Sequence, residues 1–247
     1  MRALITNDDG IDSPGLHTLA EVAVDAGLDV VVAAPHEERS GASASLVATR
    51  SDGRLLMQRR KWLKVEGPVF AVEASPAYIT WAAVRGAFGP APDLVLSGIN
   101  KGPNTGHAVL HSGTVGAALT ASAHGLPSMA VSVSAPDPSH WDTAAGVTAD
   151  VLSWLLKTEA HVVLNVNVPD VAPEDLRGLT HAPLASFGAV QADIAEIGEG
   201  FVTLTFSEID FSSEPDTDAA LQASGWATVT PLAAPCEASC SLDGLLD

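Results

Sequence analysis

The most constraining feature of the chain is a repeated alternation: short, continuously apolar runs separated by segments with a helical period. Ala3 to Thr6 and Asp29 to Ala34 are two such runs, and between them Leu16, Leu19, Ala20, Ala23 and Val24 recur at helical spacing. Ser13 suits the cap of that helix, Pro14 its first turn and Gly27 its end. The rhythm continues through Val69 to Val72, a Ser75-Pro76 start followed by Ile79, Ala82 and Ala83, and Asp93 to Ser97. A helix from about Gly113, a run from Ser128 to Val133, a helical stretch over roughly Thr143 to Leu156 and a run from His161 to Val166 complete it. Runs that are apolar throughout, rather than at every second position, belong to strands buried on both faces. The alternation therefore predicts a doubly wound, Rossmann-like α/β fold around a mostly parallel sheet.

Two regions break the rhythm. Leu46 to Lys64 carries Arg50, Arg54, Arg59, Arg60, Lys61 and Lys64 around a Ser51-Asp52-Gly53 turn signal. After Pro169 the pattern shifts to extended pieces such as Phe201 to Phe206 and Ala227 to Thr230, and from Ala233 small and polar residues dominate. We read residues 1–247 as a single domain. It has an α/β core over about 1–169, extended β-hairpins or an arm reaching a neighbouring subunit over about 170–232, and a loose tail over 233–247.

Composition narrows the function. Twelve Lys+Arg against thirty Asp+Glu give a formal charge of −18, which disfavours a sequence-independent grip on a nucleic-acid duplex or an anionic membrane. A phosphorylated substrate would need a local positive field, from a metal ion or a helix amino terminus. Cys236 and Cys240 are the only cysteines, too few for a disulfide framework or a thiolate zinc site. The first residues turn polar at Thr6-Asn7-Asp8-Asp9, too soon for a secretion signal, and no run nears the roughly 20 apolar residues of a bilayer span. A cytoplasmic location is expected.

In open α/β sheets the ligand crevice lies beyond the carboxyl ends of the strands, so the residues that follow each strand carry the chemistry. The first strand is followed by Asn7-Asp8-Asp9-Gly10. Two carboxylates turned toward one point about 4 Å apart repel by roughly 4 kcal/mol at an effective dielectric of 20, and a divalent cation removes that penalty. Oxygen donors favour Mg²⁺ or Mn²⁺ over zinc. Read alone, Asp9-Gly10 is first of all a polar turn; its place after the first strand is what favours function. The second strand leads into His36-Glu37-Glu38-Arg39-Ser40-Gly41-Ala42-Ser43, where a hydroxyl among small residues can approach an ion or a phosphate.

The stretch after Asp93 to Ser97 is the richest. It runs Gly98-Ile99-Asn100-Lys101-Gly102-Pro103-Asn104-Thr105-Gly106, and Ser112-Gly113-Thr114 then opens a helix of small residues. Free N–H groups and the helix dipole suit a phosphate at that start, although an ordinary capped helix after a long loop reads the same way. His107 and His111, four apart, lack the helical Glu and third ligand of a zinc motif.

Taken together these residues resemble the SurE (survival protein E) family, metal-dependent phosphatases acting on nucleoside 5′- and 3′-monophosphates. The likeness runs through Ile5 to Ile11 with Pro14-Gly15-Leu16, Ser40 to Ser43, Ser97 to Asn104 and Ser112 to Ala118. It resumes at Asn165-Val166-Asn167-Val168-Pro169, Asp216-Thr217-Asp218 and Val229 to Leu232. The resemblance implies a SurE-like fold and one divalent metal ion per subunit, Mg²⁺ or Mn²⁺, held by Asp8, Asp9, Ser40 and Asn100. It implies that Asn104, Ser112, Gly113 and Thr114 lie on the phosphate side. It also implies a homodimer or homotetramer with the late hairpins between subunits. Asp8 is the expected catalytic residue, orienting or deprotonating the attacking water or attacking phosphorus itself. Gly106-His107-Ala108 and His111 depart from the family's more acidic pattern ahead of its Ser-Gly-Thr, which bears on substrate preference and pH dependence.

The alternative from another class is a phosphoacceptor signalling module of receiver-like fold. That design needs an aspartate at the end of a later strand, where this chain has Ser97-Gly98. A dinucleotide-dependent oxidoreductase lacks its Gly-x-Gly-x-x-Gly after the first strand, and a haloacid-dehalogenase-type phosphatase lacks its second aspartate, since Gly10 stands two positions after Asp8.

Overall fold

A computed structural model describes residues 1–158, 162–187, 190–198, 200–208 and 213–236. The chain opens with β1 (Arg2–Thr6), α1 (Pro14–Asp25) and β2 (Asp29–Pro35), followed by three short strands, β3 (Arg50–Ser51), β4 (Arg54–Leu55) and β5 (Met57–Arg60). Then come β6 (Val69–Val72), α2 (Pro76–Val84), β7 (Leu94–Lys101), α3 (Gly113–Ala123), β8 (Ser128–Val133), α4 (Trp141–Leu155) and β9 (Val163–Val168). The last part holds β10 (Leu179–His181), β11 (Val190–Gly198), β12 (Phe201–Glu208), α5 (Asp218–Ala223) and β13 (Ala227–Leu232).

Nine strands form one sheet in the order β10-β13-β9-β8-β7-β1-β2-β6-β5. The six central strands, β6-β2-β1-β7-β8-β9, are all parallel to one another. Numbered among themselves they read 3-2-1-4-5-6, the doubly wound order, with the switch point between β1 and β7. The continuous apolar runs have the cause the sequence suggested. Leu4, Ile5, Val31, Val32, Leu96, Met129 and Val131 are all essentially excluded from solvent, because helices cover both faces. On one face α1 packs on α4; on the other α2 packs on α3.

Helix ends are set where the sequence placed them. The Ser13 hydroxyl accepts the Leu16 N–H at 3.3 Å, and Pro14 occupies the first helical position. At the start of α3 the Ser112 hydroxyl accepts the Val115 N–H at 3.1 Å. Among the described residues no helix is long and apolar enough to cross a membrane.

The structure departs from the expected layout after residue 169. Strands β11 and β12 do form a separate antiparallel hairpin, but β13 and β10 join the main sheet. β13 lies antiparallel beside β9, pairing Thr228 with Asn167 and Thr230 with Asn165, so the sheet does not stop at β9. Its alternate residues Ala227 and Val229 pack on the same apolar cluster as α1 and α4, and that burial holds the strand. The basic stretch becomes the β3–β4 hairpin and the edge strand β5, whose exposed arginines guard the edge. The strand expected from His161 begins at Val163; His161 itself, Cys240 and most of the expected tail lie outside the described residues.

Candidate active site

The segments that follow β1, β2 and β7 converge at the switch point. Asn7 shapes the first of them. Its Nδ2 donates to the Ser13 hydroxyl at 2.7 Å and to the Gly10 carbonyl at 3.1 Å, while its Oδ1 accepts the Gly10 N–H at 3.2 Å. The chain then turns at Gly10, whose φ of +99° favours glycine. Asp8 and Asp9 stand at the head of the sheet as a result. The loop after β2 is tied to the same turn, for Arg39 donates its N–H to the Asp8 carbonyl at 2.7 Å and Ile11 donates to the Pro35 carbonyl at 2.8 Å.

Asp8 is 4% exposed and faces the start of α3. One carboxylate oxygen accepts the Thr114 N–H at 3.1 Å and the other the Thr114 hydroxyl at 2.5 Å. Gly113 makes this approach feasible: a Cβ there would stand 2.7 Å from Asp8 Oδ2. Burial pushes the Asp8 carboxyl up from its ordinary range, against the pull of the Thr114 donors. Asp9 is half-buried and accepts the Lys101 N–H at 3.1 Å, just beyond Asn100. Burial first, and the neighbouring Asp8 charge second, raise the Asp9 carboxyl to about 6.

The other two expected metal ligands, Asn100 and Ser40, adjoin Lys101 and Arg39, whose backbone N–H groups bond to this pair. Asn100 donates its Nδ2 to the Gly102 carbonyl at 2.7 Å and to the Lys101 carbonyl at 3.1 Å, so its amide nitrogen is committed to the loop. Ser40 is exposed, and its hydroxyl donates to Glu38 Oε1 at 2.6 Å rather than to either aspartate. Its backbone neighbour Arg39 is what reaches Asp8. Asn104 points elsewhere, donating its Nδ2 to the Ser132 hydroxyl at 2.8 Å. Ser112 caps α3, and Gly113 and Thr114 face Asp8 directly. The N–H donors expected to stand open for a phosphate at this helix start are therefore engaged by Asp8 and by the Ser112 cap. A carboxylate sits where an anionic oxygen is favoured.

Does this set fit a divalent ion? Two adjacent carboxyls, one buried and one half-buried, are costly as anions, and among the described residues no Lys, Arg or His side-chain nitrogen lies within 4.0 Å of either. The donors are carboxylate, amide and hydroxyl oxygens, the chemistry preferred by Mg²⁺ and Mn²⁺. No group of three or more His, Cys, Asp or Glu suited to a metal occurs among the described residues, so such a site would combine two carboxylates with neutral oxygens. His107 and His111 are exposed on the 3₁₀ turn Gly106–His111, outside any such group.

Three contributors carry no role in the sequence reading. Asn165 and Asn167, two apart on β9 and fully buried, both donate to the Asn104 carbonyl, at 2.8 and 2.9 Å, and Asn167 Oδ1 accepts the Asn104 N–H at 2.8 Å. Asp218, at the start of α5, accepts N–H groups from Gly106 at 3.0 Å, Ala185 at 2.9 Å and Ala219 at 2.8 Å, pinning the far end of the same loop. A pair of asparagines on one face of an otherwise apolar strand is the signal that points to such a role.

Known proteins resemble this chain over most of its length. The family model described as Survival protein SurE matches residues 3–189. The 5′/3′-nucleotidase SurE of Proteus mirabilis is 37% identical over 237 residues, 94% of this chain and 89% of that protein. The 5′-nucleotidase SurE of Methylococcus capsulatus is 38% identical over 180 residues, 72% of this chain and 68% of that protein. The crystal structure of the SurE protein from Aquifex aeolicus superimposes with a TM-score of 0.80 at 31% identity, covering 96% of this chain and 95% of that one.

Proposed function

The chain belongs to the SurE family, and from that premise we propose that it is a phosphoric monoester hydrolase releasing phosphate from nucleoside 5′- and 3′-monophosphates. The single observation that carries the reading is the pair of aspartates at the switch point, with Asp9 raised to about 6 and no cationic side chain within ion-pair distance among the described residues. One Mg²⁺ or Mn²⁺ per subunit, held by Asp8, Asp9, Ser40 and Asn100, goes with this reading. When bound, the ion offsets charge on the phosphate and polarises the attacking water.

The protein's own groups supply the rest. Asp8 is assigned the proton of the attacking water, with the plane of its carboxylate fixed by the two Thr114 donors. Thr114, Gly113 and Ser112 form an anion-friendly helix start that we assign to the phosphate oxygens, which would compete there with Asp8. Asn104, held by Asn165 and Asn167, would present its loop to the same oxygens. A homodimer or homotetramer using the β11–β12 hairpin, and a cytoplasmic setting, belong to the same proposal; Phe201 and Val202 on that hairpin are each 54% exposed. The receiver-like alternative is not favoured, for β7 carries Ser97 where an acceptor aspartate would stand.

Phosphate release from a panel of nucleoside monophosphates, with chelator and after Mg²⁺ or Mn²⁺ is restored, tests the proposal. Hydrolysis should vanish with chelator and return with the ion. Full turnover by metal-stripped protein would overturn the metal assignment, and no turnover under any condition would overturn the activity.

A further inference from the structure

The basic stretch before β6 takes no part in the site described above. In a chain of formal charge −18 it gathers Arg54, Arg59, Arg60, Lys61 and Lys64 on and beside β5. Lys64 is paired with Glu21 at 2.7 Å, whereas Arg59, Arg60 and Lys61 have no carboxylate within 4.0 Å among the described residues. All of β5 is exposed.

β5 also ends the sheet, since among the described strands it pairs with β6 alone. The Leu56 carbonyl accepts the Glu73 N–H at 2.9 Å. In an antiparallel ladder both backbone groups of a residue face the same side, and the side alternates along the strand. Gln58 and Arg60 therefore turn theirs to β6, while Met57 and Arg59 turn theirs outward. An open row of backbone donors and acceptors is a template for one more strand. Side chains alternate too, which puts Arg59 on one face of the sheet and Arg60 on the other. A second copy presenting the same edge would set cation against cation. A strand with two consecutive acidic residues would instead meet one arginine on each face. Beyond Arg60 the edge runs into a depression of about 620 Å³, where Lys61 and the fully exposed Leu63 line a place for the next side chains and Glu66 is the one carboxylate. Trp62 is committed to a stack on His17, with ring centroids 3.7 Å apart, so Leu63 is a single apolar contact rather than a cluster that would enter a lipid interface. A long polyanion held by these cations would run on over the acidic remainder of the molecule, whereas a short segment need not.

We propose that the outer edge of β5 is a docking surface for an extended acidic segment of a partner protein, added as a strand beside Met57–Arg60 and held by Arg59, Arg60 and Lys61. The test titrates the full-length protein against a fluorescein-labelled Thr-Val-Glu-Glu-Val-Thr peptide, read by fluorescence anisotropy. Saturable binding is expected, weaker by about tenfold or more in Arg59→Glu/Arg60→Glu, with that variant preferring Thr-Val-Lys-Lys-Val-Thr instead. The acidic peptide N-methylated at every amide keeps its charges and loses the strand hydrogen bonds, so it should bind about tenfold more weakly or worse. Circular dichroism reports that the variant is folded, and the milder Arg59→Gln/Arg60→Gln serves if the reversal disturbs the fold. Equal binding of the N-methylated peptide would overturn the added strand. No saturation by the acidic peptide, or equal binding of the lysine peptide to the wild type, would overturn the surface. Oligothymidylate or phosphatidylserine vesicles bound in place of the peptide, or a changed oligomeric state in the reversal variant, would overturn it in favour of a nucleic acid, a lipid surface or a second copy.

Discussion

Asp8 surrenders nearly all its water and receives in exchange an N–H and a hydroxyl from one residue, Thr114, 106 positions along the chain. Those two donors favour the anion while burial favours the acid, and burial dominates. Asp8→Asn keeps the shape and can still accept from the Thr114 hydroxyl, but it cannot act as a base. Its turnover should fall by about 10²- to 10⁴-fold with the circular dichroism spectrum unchanged. A folded Asp8→Asn protein with near-normal turnover would remove Asp8 from the chemistry. The carboxylate pair was legible in the sequence because a polar cluster directly after an apolar run marks the crevice. Its partner was not: a contact spanning 106 residues leaves no periodic trace.

At the scale of elements, β7, α3 and β9 act together on one loop. β7 delivers Asn100, α3 begins at Ser112, and β9 reaches up through Asn165 and Asn167 to hold Asn104 between them. Asn167→Ala strands the half-buried Asn104 N–H and removes one donor from its carbonyl. The cost should be about 1–3 kcal/mol, read as a lower thermal midpoint, together with a lower kcat/KM as the loop loosens. A variant of unchanged stability and turnover would show that Asn165 alone suffices. The strands and helices of the core were legible because each is written locally, in apolar runs, caps and helical spacing. β13 was not, since a six-residue strand carries no mark of its neighbour; only packing against β9 and α4 selects the sheet over an outlying arm.

The whole molecule responds to pH through these buried acids. Asp9 binds its proton with an ordinary value of 3.8 when unfolded and about 6 when folded. A proton held more tightly by the folded state stabilises it while bound, so that contribution is complete below 3.8 and gone above about 6. Metal-free protein should therefore lose stability as pH rises across this window, relative to Asp9→Asn, and saturating Mg²⁺ should offset the loss. Thermal midpoints measured from pH 4 to 7 with chelator and with Mg²⁺ check this, and identical slopes for the wild type and Asp9→Asn in chelator would contradict it. The crevice is gathered from segments between Asn7 and Asn167, with Asp218 fastening Gly106 from further still. A polypeptide growing on the ribosome must thus be almost finished before every group that shapes the crevice has emerged.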